Sequence, residues 1–153
     1  MEVTLRFVEE LAEALALAPE LERHAAEITA EFRDGEAPRA IVRRLFERSF
    51  DAPETRLLAA TVDGSERPVG VCVSAPLEDP LLGERVPIIV LLHVHPEFRH
   101  RGLARQMVAA LERELRSRGI ERLAARAAHN DDALISMGER WGFVRSWELM
   151  LKE

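Results

Sequence analysis

Four basic side chains crowd one short stretch of the chain. Arg99, His100, Arg101 and Arg105 surround Gly102, and Leu103 and Ala104 follow the glycine directly. Cations around a residue without a Cβ suit an anion such as a phosphate: the side chains supply charge, and the glycine lets main-chain N–H groups come close. Just upstream lie His93 and His95, and histidine is the residue type best suited to general-base work. Asn130 sits in the run His129-Asn130-Asp131-Asp132. That run reads as a helix cap rather than a metal site, because consecutive residues rarely converge on one ion, and no metal is expected. Cys72, the single cysteine, lies between Val71 and Val73 and reads as a buried thiol. One cysteine excludes an internal disulfide framework.

The elements that must position these residues follow from periodicity. Ile88 to Val94 is almost wholly apolar, as expected of a strand covered on both faces. Pro96 should end its pairing. Leu103, Met107, Leu111 and Leu115 recur every four residues, which predicts a helix from about Gly102 to Arg118 with Gly119 at its end. Upstream, Val3 to Phe7 alternates as a strand, and Glu9 to Ala18 reads as a helix that Pro19 stops or restarts. Glu20 to Phe32 reads as a second helix closed by Asp34-Gly35. Pro38 to Phe50 reads as a third, with Ile41, Leu45 and Phe46 inward. Thr55 to Val62 and Val69 to Ala75 read as a hairpin around Asp63-Gly64, and Pro76 to Pro87 as a loop. Arg122 to Ala127, a helix over Ala133 to Trp141 capped by Asp131 or Asp132, and a last strand from Phe143 to Leu151 complete the order. This predicts one domain over 1–153, of α/β (α+β) class, with a mixed sheet flanked by helices and a parallel strand–helix–strand unit at its centre.

Composition narrows the function classes. The net charge of −6 argues against general binding to nucleic acid or to an anionic membrane, though not against a local basic pocket. No apolar run has the length of a membrane span, and the first residues lack the layout of a signal peptide, so the expected location is the cytoplasm. Lys152 is the only lysine, and the chain has no tyrosine.

Val94-x-Pro96-x-Phe98-Arg99-x-x-Gly102-Leu103-Ala104, following a strand and opening a helix, resembles the signature of the GNAT superfamily of acyl-CoA-dependent N-acetyltransferases. Gly142-Phe143 resembles its second cofactor segment. The resemblance covers the chain from about Val69 onward and implies a mostly antiparallel central sheet of the GNAT acyl-CoA N-acyltransferase fold. It implies acetyl-CoA as co-substrate, with the pyrophosphate cradled by Arg99, His100, Arg101, Gly102, Leu103, Ala104 and Arg105. The pantetheine arm would pair with the backbone of Leu92, His93 and Val94, and Asn130 would hydrogen-bond the pantetheine or a phosphate. The phosphate motifs G-x-x-x-x-G-K-[ST] and G-x-G-x-x-G are absent.

The same resemblance leaves the acid and base open. Many relatives protonate the departing thiolate with a tyrosine on the last helix. Here the matching position is Gly138, or Met137 after a one-residue shift, with Ser136 adjacent. The positions that often carry a base are Ile88, Val90 and Arg126. His93 is then the one catalytic candidate, against the reading of a core histidine with a hydrogen-bond partner. Acetyl-CoA is already activated, and proximity supplies much of the acceleration. The expected function is acetyl transfer to a primary amine of a small molecule, a peptide N-terminus or a lysine, by direct attack in a ternary complex. A CoA-binding sensor or assembly module of the same fold is the alternative. Pairing of two copies through an exposed edge at Val144 to Leu151 is the expected route to a homodimer.

Overall fold

The computed structural model describes residues 1–24, 38–79, 81, 83–127, 131–146, 150 and 152. Along the chain run β1 (Val3–Val8), α1 (Leu11–Glu22), α2 (Pro38–Phe50), β2 (Arg56–Val62), β3 (Gly70–Glu78), β4 (Arg85–Val94), a 3-10 turn (Pro96–Phe98), α3 (Leu103–Ser117), β5 (Ala124–Ala125) and α4 (Asp132–Arg140). Among the described residues the sheet has the order β1-β2-β3-β4-β5, antiparallel except for the parallel pair β4/β5. The parallel pair is the one joined by a helical crossover, as strand geometry requires. No helix among the described residues is long and apolar enough to cross a membrane.

Side-chain alternation divides the core into two layers. Leu58, Ala60, Val62, Cys72, Ile89 and Val94 face α3, whose Leu103, Met107, Leu111 and Leu115 are all buried, the face expected from their spacing. Leu57, Ala59, Val71, Val73 and Leu91 face the other way, onto Ala14, Ala18 and Leu21 of α1 and Val42 and Phe46 of α2.

Several expected boundaries move. Pro19 lies inside α1, which continues to Glu22 because Ala14, Ala18 and Leu21 are buried on one side of the proline and beyond it. Packing thus offsets the one backbone bond that the ring removes. Glu20 to Glu22 therefore end α1 rather than begin a second helix, and residues 25–32 with Asp34-Gly35 lie outside the described residues. In α2 the buried set is Val42, Phe46 and Ser49, so the inward face is turned one position from Ile41 and Leu45, which stay half-buried.

The expected loop from Pro76 to Pro87 is instead the outer arm of the β3/β4 hairpin, with Pro76 opposite Pro87. The Asp79 N–H donates to the Glu84 carbonyl at 2.8 Å, which makes that pair a bonded one. Three pairs back along the alternation, Pro76/Pro87 is a non-bonded pair, so neither proline removes a ladder bond.

β5 keeps only Ala124 and Ala125 of the expected Arg122 to Ala127. Alanine adds little to a ladder. Asp131 caps α4 by accepting from the Leu134 N–H at 3.0 Å. Residues 143–146 form no strand, and 147–149 and 151 lie outside the described residues, so the edge expected to pair two copies is not a strand where it is described.

Cys72 is fully buried, and desolvation pushes its thiol up from 9.0 to about 12. The native thiol should react with a maleimide far more slowly than the unfolded one at pH 8. Between pH 9.0 and about 12 the unfolded state releases a proton that the folded state keeps. Stability should therefore fall with rising pH in that window, by at most about 1.4 kcal/mol per pH unit from this group. A urea titration series across pH 8.5–11 (roughly the accessible range) checks the sign, and a flat profile would remove this contribution.

Candidate functional site

The centre of the sheet is broken by one extra residue. Val73 faces Leu91 and Ser74 faces Ile89, so Val90 has no opposite number on β3. A bulge of this kind kinks the strand and turns its two extra-side residues the same way. Val90 and Leu91 both pack toward α1 and α2, whereas Ile89 and Leu92 pack toward α3. β5 pairs with Ile88 and Ile89 only, so the parallel ladder stops where the bulge begins.

Beyond the bulge, Leu91 to Val94 has β3 on one side and, among the described residues, no strand on the other. The His95 N–H donates to the Val69 carbonyl at 2.7 Å, and this bond sets the alternation. His93 is bonded to β3 opposite Val71, while the N–H and C=O groups of Leu92 and Val94 point to the open edge. His93 thus aims its main chain away from that edge. An extended chain carrying amides can add to Leu92 and Val94 as a further strand would.

The turn after β4 is built from local bonds. His95 precedes the 3-10 turn, and its Nδ1 accepts from the Glu97 N–H at 3.3 Å. The Arg99 N–H donates to the Pro96 carbonyl at 3.3 Å, and Arg99 Nε donates to the Val94 carbonyl at 2.9 Å. His100 and Gly102 both have left-handed backbone, with φ of 61° and 77°. The first bond of α3 runs from the Gln106 N–H to the Gly102 carbonyl at 3.0 Å. The N–H groups of Leu103, Ala104 and Arg105 precede it and have no side-chain cap. Such a helix start offers donors and a positive dipole end to an anion.

The basic side chains around this start differ in setting. The Arg101 guanidinium lies 5.6 Å from the centre of the Phe98 ring and 3.9 Å from the Met1 sulfur. His100 and Arg105 are exposed. Leu103 is buried in the core and anchors the helix start. A Cβ at Gly102 would meet nothing within 4 Å, so the space over the glycine is open. Asn130 lies outside the described residues.

His93, the catalytic candidate, is buried on the α1 side of the sheet, its ring 5.0 Å from that of His24. His24 also meets His95, with ring centres 5.2 Å apart. His93 thus sits three residues past the bulge, among the end of α1 and the neighbouring strand. At the bulge itself Ile88, Ile89, Val90 and Leu91 are apolar. Sequence reasoning missed the bulge, since every side chain around it is hydrophobic and periodicity carries no mark of one added residue. Among the described residues no group of three or more His, Cys, Asp or Glu side chains is arranged to hold a metal.

Comparison with known proteins adds to this geometry. Residues 14–143 match the family described as Acetyltransferase (GNAT) family. Over 60 residues the chain is 37% identical to Acetyltransferase YE1169 of Yersinia enterocolitica, a stretch that spans 39% of this chain and 43% of the relative. Among solved structures, ribosomal-protein-alanine N-acetyltransferase from Brucella melitensis biovar Abortus superposes with a TM-score of 0.69 at 20% identity, over 99% of both chains. The aminoglycoside acetyltransferase AAC(6')-Iy, bound to a bisubstrate analogue of CoA and monomethyl-acetylneamine, superposes with a TM-score of 0.72 at 17% identity, over 100% of this chain and 98% of that one. At these identities the likeness of the solved structures is one of fold, and it agrees with the mixed, mostly antiparallel sheet described above.

Proposed function

This chain belongs to the acetyltransferase (GNAT) family, and from that membership we propose that it moves an acetyl group from acetyl-CoA to a primary amine. One observation carries the reading: an open strand edge at Leu92 and Val94 leads within a few residues to the uncapped start of α3. Acetyl-CoA has the matching layout, an arm with amides and a pyrophosphate. The arm would add to the Leu92 and Val94 backbone. The pyrophosphate would take the N–H groups of Leu103, Ala104 and Arg105, with the exposed Arg105 and His100 adding charge. The acetyl end would then point toward the bulge at Val90.

There the amine, uncharged, would attack the thioester carbonyl directly. The C–N bond forms, the C–S bond breaks, and the amine proton leaves to water or to the departing thiolate. Cys72 is buried on β3 with its thiol held protonated, which argues against a covalent acyl-enzyme step. The acceptor class is supported by the names of the relatives alone: one acts on a ribosomal-protein alanine, another carries an aminoglycoside analogue. A small-molecule amine and a peptide N-terminus are therefore the first acceptors to try, with lysine side chains next.

The test is calorimetric titration with acetyl-CoA, followed by an amine panel read as release of the free CoA thiol. Saturable binding is expected. At about 100 times the dissociation constant, bound acetyl-CoA should add roughly 2.7 kcal/mol to unfolding stability, visible as a raised Tm. No saturable binding by the wild type overturns the proposal. A second reading, a CoA-binding module without transfer, draws on the absence of tyrosine and on the apolar bulge. Tight binding with no CoA release across the panel would select it.

A further inference from the structure

Arg99 falls in the basic turn, and its residue type suggests a phosphate ligand. Its geometry suggests another role. The half-buried side chain folds back five residues, and Nε donates to the Val94 carbonyl at 2.9 Å. That carbonyl is one of the polar groups that strand alternation turns to the open edge. The backbone of Arg99 is bonded too, through its N–H to Pro96. The main-chain bond closes the 3-10 turn on itself, and the side-chain bond alone ties that turn to the last residue of β4.

The turn has reason to need the tie. It contains two left-handed residues, His100 and Gly102, and only a short 3-10 turn links it to the strand. The strand edge and the start of α3 are two half-sites, one for amides and one for an anion. A ligand that spans both gains from the second contact only while their spacing is held. We infer that Arg99 is a positioning residue that couples the two half-sites by fixing the turn to Val94, and that this hydrogen bond, not its charge, is what a spanning ligand requires. The inference rests on the acetyl-CoA reading. It assigns the phosphate charge to Arg105 and His100, and it leaves Val94 with its N–H, but not its C=O, for an added chain.

The test compares two ligands and three variants by isothermal titration on the whole protein. CoA spans both half-sites. 3′-Phospho-ADP, its nucleotide half, has no pantetheine amides and touches only one. Arg99→Ala should bind CoA about tenfold more weakly, the scale of one hydrogen bond to a charged donor, and should bind 3′-phospho-ADP as the wild type does. Arg99→Gln, an uncharged donor that reaches a carbonyl, should recover most of the affinity for CoA. Equal losses for CoA and its nucleotide half would overturn the inference. So would an Arg99→Lys protein that binds like the wild type beside an Arg99→Gln protein that binds as weakly as Ala, because charge would then be the requirement. The Gln and Lys pair decides the point even if Arg99→Ala fails to fold. A wild type that does not bind CoA at all removes the acetyl-CoA reading itself, and this is seen before any variant is compared.

Discussion

Replacing Gly102 by glutamate should abolish acetyl-CoA binding and leave the protein folded. The glycine has φ of 77°, and a Cβ there would meet nothing within 4 Å. The cost to the fold is therefore conformational, roughly 1–2 kcal/mol for a side chain held in left-handed backbone. Part of it is offset, since a carboxylate just before α3 interacts well with the helix dipole, by about 0.3–1 kcal/mol. That offset is also why binding fails. The new carboxylate takes the N–H groups of Leu103 to Arg105 and repels any phosphate that approaches them. Affinity should fall by at least about 100-fold, or roughly 2.7 kcal/mol, with near-native circular dichroism. Gly102→Ala, strained but uncharged, should lose much less. Glutamate at this position with wild-type affinity would place the anion somewhere other than the start of α3.

Deleting Val90 should have an effect of similar size by a different route. The deletion brings Ile89 next to Leu91, and these already face opposite layers of the core. Alternation is therefore kept on both sides, and what is lost is one half-buried valine. The expected cost is about 1–2 kcal/mol, or roughly 2–8 °C of Tm for a chain of this size. The kink disappears with the bulge, and β5 can continue beside Leu91 to Val94. The open edge then closes. CoA binding should drop by more than about 100-fold, and the amides of Leu92 and Val94 should gain protection from hydrogen exchange. Binding within about threefold of the wild type would show that the gap in the ladder is not where the ligand lies.

Both predictions act on features that differ in how far sequence discloses them. The turn around Gly102 is legible because its residue types are chemical: cations, a glycine, then a four-residue apolar repeat that becomes the buried face of α3. The order of strands and helices is legible for the same reason of periodicity. The bulge is not. Its neighbours are apolar on both faces, so a slip of one leaves the hydrophobic pattern unchanged. Pro19 and the Pro76/Pro87 pair mislead in the opposite sense, because a proline signals a break unless its missing N–H falls where no bond is lost or where packing outweighs it. Arg99 shows a third limit. Composition assigns an arginine beside a glycine to a phosphate, and only the path of the chain reveals that its side chain returns to Val94. His93 was the histidine best placed in sequence, and the fold surrounds it with His24 and the end of α1. The acceptor is not legible, since neither the helices before Phe50 nor the segment Pro76 to Pro87 carries a diagnostic pattern, and residues 25–37 lie outside the described structure.

The proline pair in the β3/β4 arm has a consequence for how the molecule behaves in a crowd. The arm runs past the end of β2 pairing at Ser74, and past β5, which reaches only Ile88 and Ile89, so among the described residues neither of its flanks is paired with a strand. Unpaired flanks invite a foreign strand, and a continuous row of outward donors is what such a strand reads. Pro76 and Pro87 each stand at a position whose N–H would point outward, and each leaves a gap in that row. A strand arriving on either flank finds its pairing interrupted at the middle of the arm. The two missing hydrogens therefore add to the protection that the arm's charges already give, Arg85 pairing with Glu54 on one flank and Glu84 with Arg122 on the other.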